Sequence, residues 1–527
     1  MFPLLTSYFH SDDFVFLHSA SVGNALGPSD GRFFRPLFSG MLFLEYQLWG
    51  LDPVGYHLTN ILIHLANAVL LILLGFHLFP RPSSSGQRSP VRSAPLWTGL
   101  LFVTLASHSE AVAWLSARAD LLATFFALLS LLFHHMYRTR SRYRYLVIAL
   151  ASFLTALFSK ESALCFPVIL ALYEVFLAQD KQGKGLVRRV ATTFSSYCLI
   201  VFVYLGLRTV FLGELVAGYG SQVHLKLDIA KLAWNFVSFP SRTIVPPTTQ
   251  KSLPIFIFAV LVVILIATVV YSMRSHLQGS SPRHPVDFAP LYFLVGSYVV
   301  SLLPVANLAI SKTNTEGERL LYLPSVFFVG ALVWFLGLAL RSPRTRLLVS
   351  ATVVVVQAVS LFNANLSWQA AGGVCQSALR SLHAHQPRDR VCVVNLPDNL
   401  RGAYVFRNGF QQAVHLMQEP EQAQLDVSVL ALHAISSAED TVSVSCTEGL
   451  CTMLLEPEGS TFKKAFRGDA DCFRIDERSM LSEGKLLFNL ADALRYEAAD
   501  ALFYSAGEFH RVPFDSIPDQ SDTNTRN

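Results

Sequence analysis

From residue 58 to residue 366 the chain alternates between apolar runs and short polar connections. A helix that crosses the hydrocarbon core of a bilayer needs about 20 largely apolar residues. On that measure the pattern predicts about ten spans, near 58–79, 95–109, 119–136, 145–159, 163–178, 190–212, 252–274, 288–306, 320–340 and 346–366. Ahead of them, 33–50 is aromatic and amphipathic, and Arg35, Glu45, Tyr46 and Trp49 suit a helix lying at the membrane surface. After 366 the period changes. Residues 391–397 read as a buried strand ending in a turn, and 408–417 as a helix. Residues 441–445 and 451–455 alternate like paired strands about a Thr447-Glu448-Gly449 turn. The expected architecture is mainly α: a polytopic membrane helix bundle, then a small soluble α/β or α+β domain over 367–512 and a disordered tail over 513–527.

Composition agrees with the spans. Of 527 residues, 52% are hydrophobic and 15% charged, against about 25% charged in soluble domains. The net charge of +4 says little as a total, because its distribution carries the information. Arg81/Arg88/Arg92, Arg138/Arg140/Arg142/Arg144, Lys181/Lys184/Arg188/Arg189, Arg274/Arg283 and Arg341/Arg344/Arg346 occupy every second connection. Short Lys/Arg-rich loops stay cytoplasmic. The intervening connections, Asp12-Asp13 and everything after 366 therefore face outward. An outward N-terminus with no preceding span predicts a further first helix upstream. The basic loops have no aromatic interleaving, so nucleic acid is not an expected partner. Seven cysteines show no metal-binding spacing. In an oxidising compartment Cys446 and Cys451 flank the hairpin closely enough to bridge.

Ionisable groups at a membrane edge are costly to keep, and here the acids gather on the outward side. Asp12 and Asp13 stand among aromatic and aliphatic residues, and two adjacent carboxylates repel. They read either as a solvated helix cap or as a pair kept for a proton, a metal or a cation. Glu110, Trp114 and Arg118 recur every four residues, which on a continuous helix puts them on one stripe. Beside His108 they make either an interfacial salt-bridged turn or a grip for an anionic head group. Lys160-Glu161 interrupts an apolar run, as a snorkelling connection end or as a phosphate counter-charge. Arg319, beside Glu316 and Glu318 and ahead of Tyr322, is suited to gripping phosphate through paired hydrogen bonds. A helix-start salt bridge is the plainer alternative. His57, Asn60, His64 and Asn67 form a polar seam without a third zinc ligand at suitable spacing.

Several of these stretches occur together in one known family. Arg35-Pro36-Leu37, the run from Glu45-Tyr46-Gln47-Leu48-Trp49 to His64, His108-Ser109-Glu110-Ala111-Val112-Ala113-Trp114, Arg118-Ala119-Asp120-Leu121-Leu122-Ala123, Ser159-Lys160-Glu161-Ser162-Ala163 and Glu318-Arg319-Leu320-Leu321-Tyr322-Leu323-Pro324-Ser325 are similar to the polytopic part of the TMTC family, the transmembrane and tetratricopeptide-repeat O-mannosyltransferases, and their bacterial relatives. The resemblance covers about residues 8–365. It implies a GT-C fold glycosyltransferase that uses a polyprenyl-phosphate-linked sugar on the outer face. The tetratricopeptide tail has no counterpart, which implies a bacterial member with residues 367–512 in the periplasm.

The family's acidic motif in the first external loop falls on Asp12-Asp13. These residues are therefore expected to be catalytic, and to bind a divalent cation (Mg or Mn) if the enzyme uses one; enzymes of this fold occur with and without a metal. Arg319, Lys160 and Arg118 are expected at the donor phosphate, supported by His108, Glu110, Glu161, Glu316, Glu318 and Tyr322. The expected partners are the lipid bilayer, the lipid-linked sugar, and an acceptor protein or glycan outside the cytoplasm. A lipid or solute transporter and a non-catalytic envelope scaffold are the rival classes.

Overall fold

A computed structural model describes residues 1–26, 33–78, 93–178, 185–213, 229–247, 250, 252–277, 288–308, 310–311, 314–340, 342–387, 390–418, 425–447, 450–456, 462–465, 472–474, 484–490 and 500–513. Arg81, Arg88, Arg92, Lys181, Lys184, Arg283 and Arg341, the hairpin turn at 448–449 and all but the start of the 513–527 tail lie outside them. The chain divides into two compact units, one of Met1–Leu5 with Gly23–Leu366 and one of Thr6–Val22 with Ser367–Asn527.

The first unit is helical. Among the described residues, five helices are long and apolar enough to cross a membrane: Pro53–His77, Leu115–Arg140, Gly185–Leu212, Glu318–Ala339 and Pro343–Ala384. Shorter apolar helices, Ala94–Thr104, Tyr143–Ser159, Ile255–Ile264 and Ala289–Val305, fall within or across four more of the apolar runs. The chain is an integral membrane protein by this measure. Pro36–Trp49 is a separate helix of 14 residues, about 21 Å at 1.5 Å per residue and too short to span. It ends at Gly50, whose φ of +53° suits glycine, and the Trp49 ring lies where a Cβ on Gly55 would stand.

Several boundaries differ from the sequence pattern. The run near 95–109 stops as a helix at Thr104, because Leu105 turns extended (ψ 126°) before a 3-10 turn over Ala106–His108. The run near 163–178 begins as a 3-10 turn, and its α-helix starts at Phe166 with Pro167 in the first turn, where a missing N–H costs nothing. Ile229–Ile244 is a helix the apolar pattern does not announce, interrupted as it is by Pro240 and Arg242. The last helix runs for 42 residues to Ala384, 18 beyond the apolar stretch that ends at 366, since no proline breaks it.

The second unit joins α and β structure. Its strands are β1 (Arg390–Leu400), β2 (Ala403–Tyr404), β3 (Asp426–Ile435), β4 (Thr441–Thr447), β5 (Leu450–Glu456), β6 (Phe462–Ala465), β7 (Phe473–Arg474), β8 (Lys485–Leu490), β9 (Asp500–Ser505) and β10 (Glu508–Arg511). One sheet has the order β10-β9-β1-β3-β6, with β2 paired to β1; the other is β4-β5-β8-β7. β1 runs parallel to both β3 and β9, and helix Phe410–Met417 supplies the crossover from β1 to β3, as a parallel pair requires. β1 passes Pro397 without ending, by a register shift between Pro397 and Asn399. Cys446 and Cys451 face each other in the β4–β5 hairpin and form a disulfide. Cys392 and Cys472 form another. Cys392, Val394, Met453, Cys472 and Phe488 are buried in one apolar cluster.

Candidate active site

In the first unit, the chain from Leu105 to Arg118 is a succession of short turns: a 3-10 turn, the helix Ser109–Ala113, extended Trp114 (ψ 122°), and a second 3-10 turn over Leu115–Ala117. The expected stripe of Glu110, Trp114 and Arg118 on one helix does not form, because the helix is broken at Trp114. The two charges turn to separate partners. Glu110, fully buried, accepts the Arg319 backbone N–H at 2.9 Å and the Arg319 guanidinium on its other oxygen. The same guanidinium lies over the Trp114 ring, 4.6 Å from its centroid, a placement that attracts a cation. Arg118, also fully buried, pairs with Glu45 and donates to Asn60 Oδ1 at 2.5 Å and to the Tyr56 carbonyl at 2.9 Å.

The other residues expected at the phosphate follow the same rule. Lys160 pairs with Asp120 at 2.5 Å. Glu161 accepts two hydrogen bonds from Arg35, at 3.1 and 2.9 Å, and faces Arg208 at 3.6 Å. Glu318 is gripped by Arg242, which also donates to the carbonyls of Ser311, Val245 and Asn314. Glu316 lies in the turn leading to Gly317, whose φ is +88°. Its backbone N–H donates to Asn314 Oδ1, and its carbonyl accepts from Ser311. His108 bonds Ser325 Oγ at 2.8 Å, and the Tyr322 hydroxyl bridges His64 at 2.7 Å and Asn67 at 3.1 Å.

Charges buried this way are tolerable only when paired and hydrogen-bonded. Among the members of these pairs, Arg319 and Glu161 keep the largest side-chain exposure, 22% and 20%, so they are the most accessible of these buried groups. Burial opposes charge on Glu161, but Arg35 and then Arg208 outweigh it and hold the carboxyl below its ordinary range. The sequence pattern marks Arg35 and Glu45 only as charges of a surface-lying helix, and it does not mark Asp120, Arg208 or Arg242 as site residues. Asp120 was within reach of it, two residues from Arg118; Arg208 sits inside an apolar span, where an ionisable residue is itself a signal.

Asp12 and Asp13 belong to the second unit, in the first turn of helix Asp12–Ser21, where the helix dipole favours negative charge. Adjacent positions on a helix point about 100° apart, so the two carboxylates have different surroundings. Asp13 is buried and accepts the His10 backbone N–H at 3.1 Å. Asp12 is half-buried and accepts from Asn408 Nδ2 at 2.8 Å. Ser11 donates its N–H to the Val405 carbonyl at 2.8 Å and receives the Asn408 N–H on its hydroxyl. Gly409 (φ +79°) has no room for a Cβ against the Ser11 carbonyl. Among the described residues no three His, Cys, Asp or Glu side chains are grouped to hold a metal ion.

The chain is similar to proteins named as protein O-mannosyl-transferases. It is 24% identical over 340 residues to F38B6.6 of Caenorhabditis elegans, covering 58% of this chain and 43% of that one. It is 31% identical over 150 residues to Tmtc1 of Drosophila melanogaster (28% and 16%), and 38% over 103 residues to TMTC4 of Mus musculus (19% and 14%). The match thus spans less than half the length of each of these relatives. No family model matches the chain, and no solved structure does.

Proposed function

We propose that this protein is a membrane glycosyltransferase that moves a hexose, mannose by analogy with its relatives, from a polyprenyl-phosphate carrier to an acceptor hydroxyl on the extracytoplasmic side. The observation that carries the reading is the Arg319 site. One guanidinium is fixed by a buried carboxylate and an aromatic face yet remains partly exposed at the end of an apolar helix, and it belongs to a stretch that resembles the family. The two disulfides in the second unit support an oxidising compartment for that domain, a periplasm or a lumen.

In the reaction the acceptor oxygen attacks the anomeric carbon while the bond from that carbon to the phosphate oxygen breaks. The bonding electrons leave with the lipid phosphate, and the acceptor proton passes to a carboxylate, inverting the anomeric centre. The base role falls by the resemblance to the Asp12-Asp13 pair. Asp12, the more exposed, is the better base; Asp13, bound to the His10 N–H, is the better anchor. The leaving phosphate needs cationic stabilisation more than an acid. Arg319 supplies it, while Arg118 and Lys160, consumed in buried pairs, position the loops and helices around it.

The test is release of polyprenyl phosphate from a labelled polyprenyl-phosphate sugar by wild type and by the Asp12→Asn, Asp13→Asn and Arg319→Ala variants. Loss of turnover in the variants supports the roles. Unchanged turnover in all three sinks the site assignment, and no turnover by wild type with any donor or acceptor favours a transporter or a scaffold.

A further inference from the structure

We infer that Asn408 is a positioning residue for Asp12, and that the second unit thereby takes part in catalysis; the inference rests on the base role given to Asp12 above. The turn over 404–409 meets the acidic turn residue by residue. The Tyr404 carbonyl lies 3.1 Å from His10 Nδ1, and the Val405 carbonyl accepts the Ser11 N–H at 2.8 Å. The Asn408 N–H donates to Ser11 Oγ at 3.2 Å, and Asn408 Nδ2 donates to Asp12 Oδ1 at 2.8 Å. Ser11, 1% exposed, stands at φ +48°, a region that few residues other than glycine adopt. Such a conformation persists where its surroundings over-determine it. Here they set the direction in which the chain presents Asp12.

The turn is itself firmly supported. It is tied to β1 by the Val405 N–H on the Asp398 carbonyl at 2.9 Å and the Phe406 N–H on the Pro397 carbonyl at 3.0 Å. Arg407 grips the Asp398 carboxylate through Nε at 2.8 Å and Nη2 at 2.7 Å. The buried Phe406 ring stacks on Phe14, in the helix that Asp12 begins, with centroids 6.2 Å apart. At Gly409 a Cβ would stand 2.5 Å from the Ser11 carbonyl oxygen, so the close approach of the two turns needs glycine there.

A general base must stay within hydrogen-bond reach of the proton it takes, and a displacement of about 1 Å can cost on the order of a hundredfold in rate. Asp12 is half-buried on the first turn of its helix, and its carboxylate turns about χ1 and χ2 unless an oxygen is held. An amide holds it without bringing a second charge, while the neighbouring cation, Arg407, is directed at Asp398. The resemblance to the family ends near residue 365, so this hold comes from outside the stretch that carries it.

The test compares wild type, Asp12→Asn, Asn408→Ala, Asn408→Asp and Asn408→Gln as full-length proteins in nanodiscs. It reads thermal unfolding, and release of polyprenyl phosphate from labelled polyprenyl-phosphate mannose with a Ser/Thr peptide as acceptor. All three Asn408 variants keep the backbone N–H that Ser11 receives, and Asn408 is exposed, so their melting temperatures are expected to match wild type. Asn408→Ala should lower kcat about tenfold or more with the donor KM unchanged. Asn408→Asp, of the same shape but repelling Asp12, should lose at least as much. Asn408→Gln, which keeps an amide donor, should lose less than Asn408→Ala. A merely structural role predicts instead that turnover follows the melting temperature. Wild-type kcat in Asn408→Ala, or a loss that only tracks unfolding, overturns the inference; an inactive Asp12→Asn in the same experiment leaves the glycosyltransferase reading standing. No release by wild type, or Asp12→Asn as active as wild type, removes the base role first and the inference with it.

Discussion

Glu110 and Arg319 lie 209 positions apart and meet twice, once through the Arg319 backbone N–H and once through its guanidinium. A carboxylate used in this way fixes the start of the helix as well as the charge that the helix start carries. Glu110→Gln keeps the shape but removes the negative charge and weakens both contacts, because hydrogen bonds to charged groups are about twice as strong as neutral ones. Donor turnover should fall tenfold or more, with Arg319→Lys equally impaired since an ammonium has no planar fork. Full activity in Glu110→Gln, measured as polyprenyl phosphate released, would show that Arg319 does not need this anchor.

The Arg118–Glu45 pair gives a prediction about stability. Arg118→Met leaves Glu45 buried without its cation, a situation that costs roughly 3–5 kcal/mol. Replacing both residues, Arg118→Met with Glu45→Leu, should recover most of the loss, as removal of a whole buried pair often does. Thermal unfolding in detergent across the double-mutant cycle measures the coupling. Additive losses would mean that the two side chains do not depend on each other.

Five of the ten expected spans were legible as membrane-length helices, because length and hydropathy are local properties of the chain. The pairings were not, because they depend on which helices become neighbours. Glu110 and Arg118 sit eight residues apart and look like partners, yet the extended Trp114 sends each to a different helix. The same limit hid the membership of Thr6–Val22 in the second unit. Ser11, Val405 and Asn408 are bound together across nearly four hundred residues, and no periodicity in 6–22 records it. Of the two disulfides, Cys446–Cys451 was readable from a hairpin register, while Cys392–Cys472, with a separation of 80, had no local signature.

That difference in separation sets the disulfides' relative contributions. Cys446–Cys451 closes a separation of five and Cys392–Cys472 one of 80. On the chain-entropy account the long loop restrains the unfolded chain by about 2–3 kcal/mol more than the short one. Cys392→Ala/Cys472→Ala should therefore lower the unfolding temperature of the second unit more than Cys446→Ala/Cys451→Ala. Equal melting temperatures for the two double variants, followed by near-ultraviolet circular dichroism, would count against that ranking.

His433 makes the stability of the second unit depend on pH. It lies on β3 between Pro397 of β1 and Phe462 of β6 and is 2% exposed. Burial pushes its pKa from 6.5 down to about 4, although Asp440, the Leu396 backbone and Asp398 pull the other way. In the folded state it stays neutral until about pH 4, whereas the unfolded chain takes up a proton near pH 6.5. Between those limits the unfolded state holds more protons, so stability rises with pH. The contribution is complete above pH 6.5 and is lost progressively as pH falls to 4, about 3 kcal/mol in all. Melting temperatures of wild type and His433→Leu at pH 7 and pH 5 isolate it, since titration of other groups is common to both proteins. Wild type should lose more on acidification than the variant, and parallel losses would show that His433 is protonated in the folded protein as readily as in the unfolded chain.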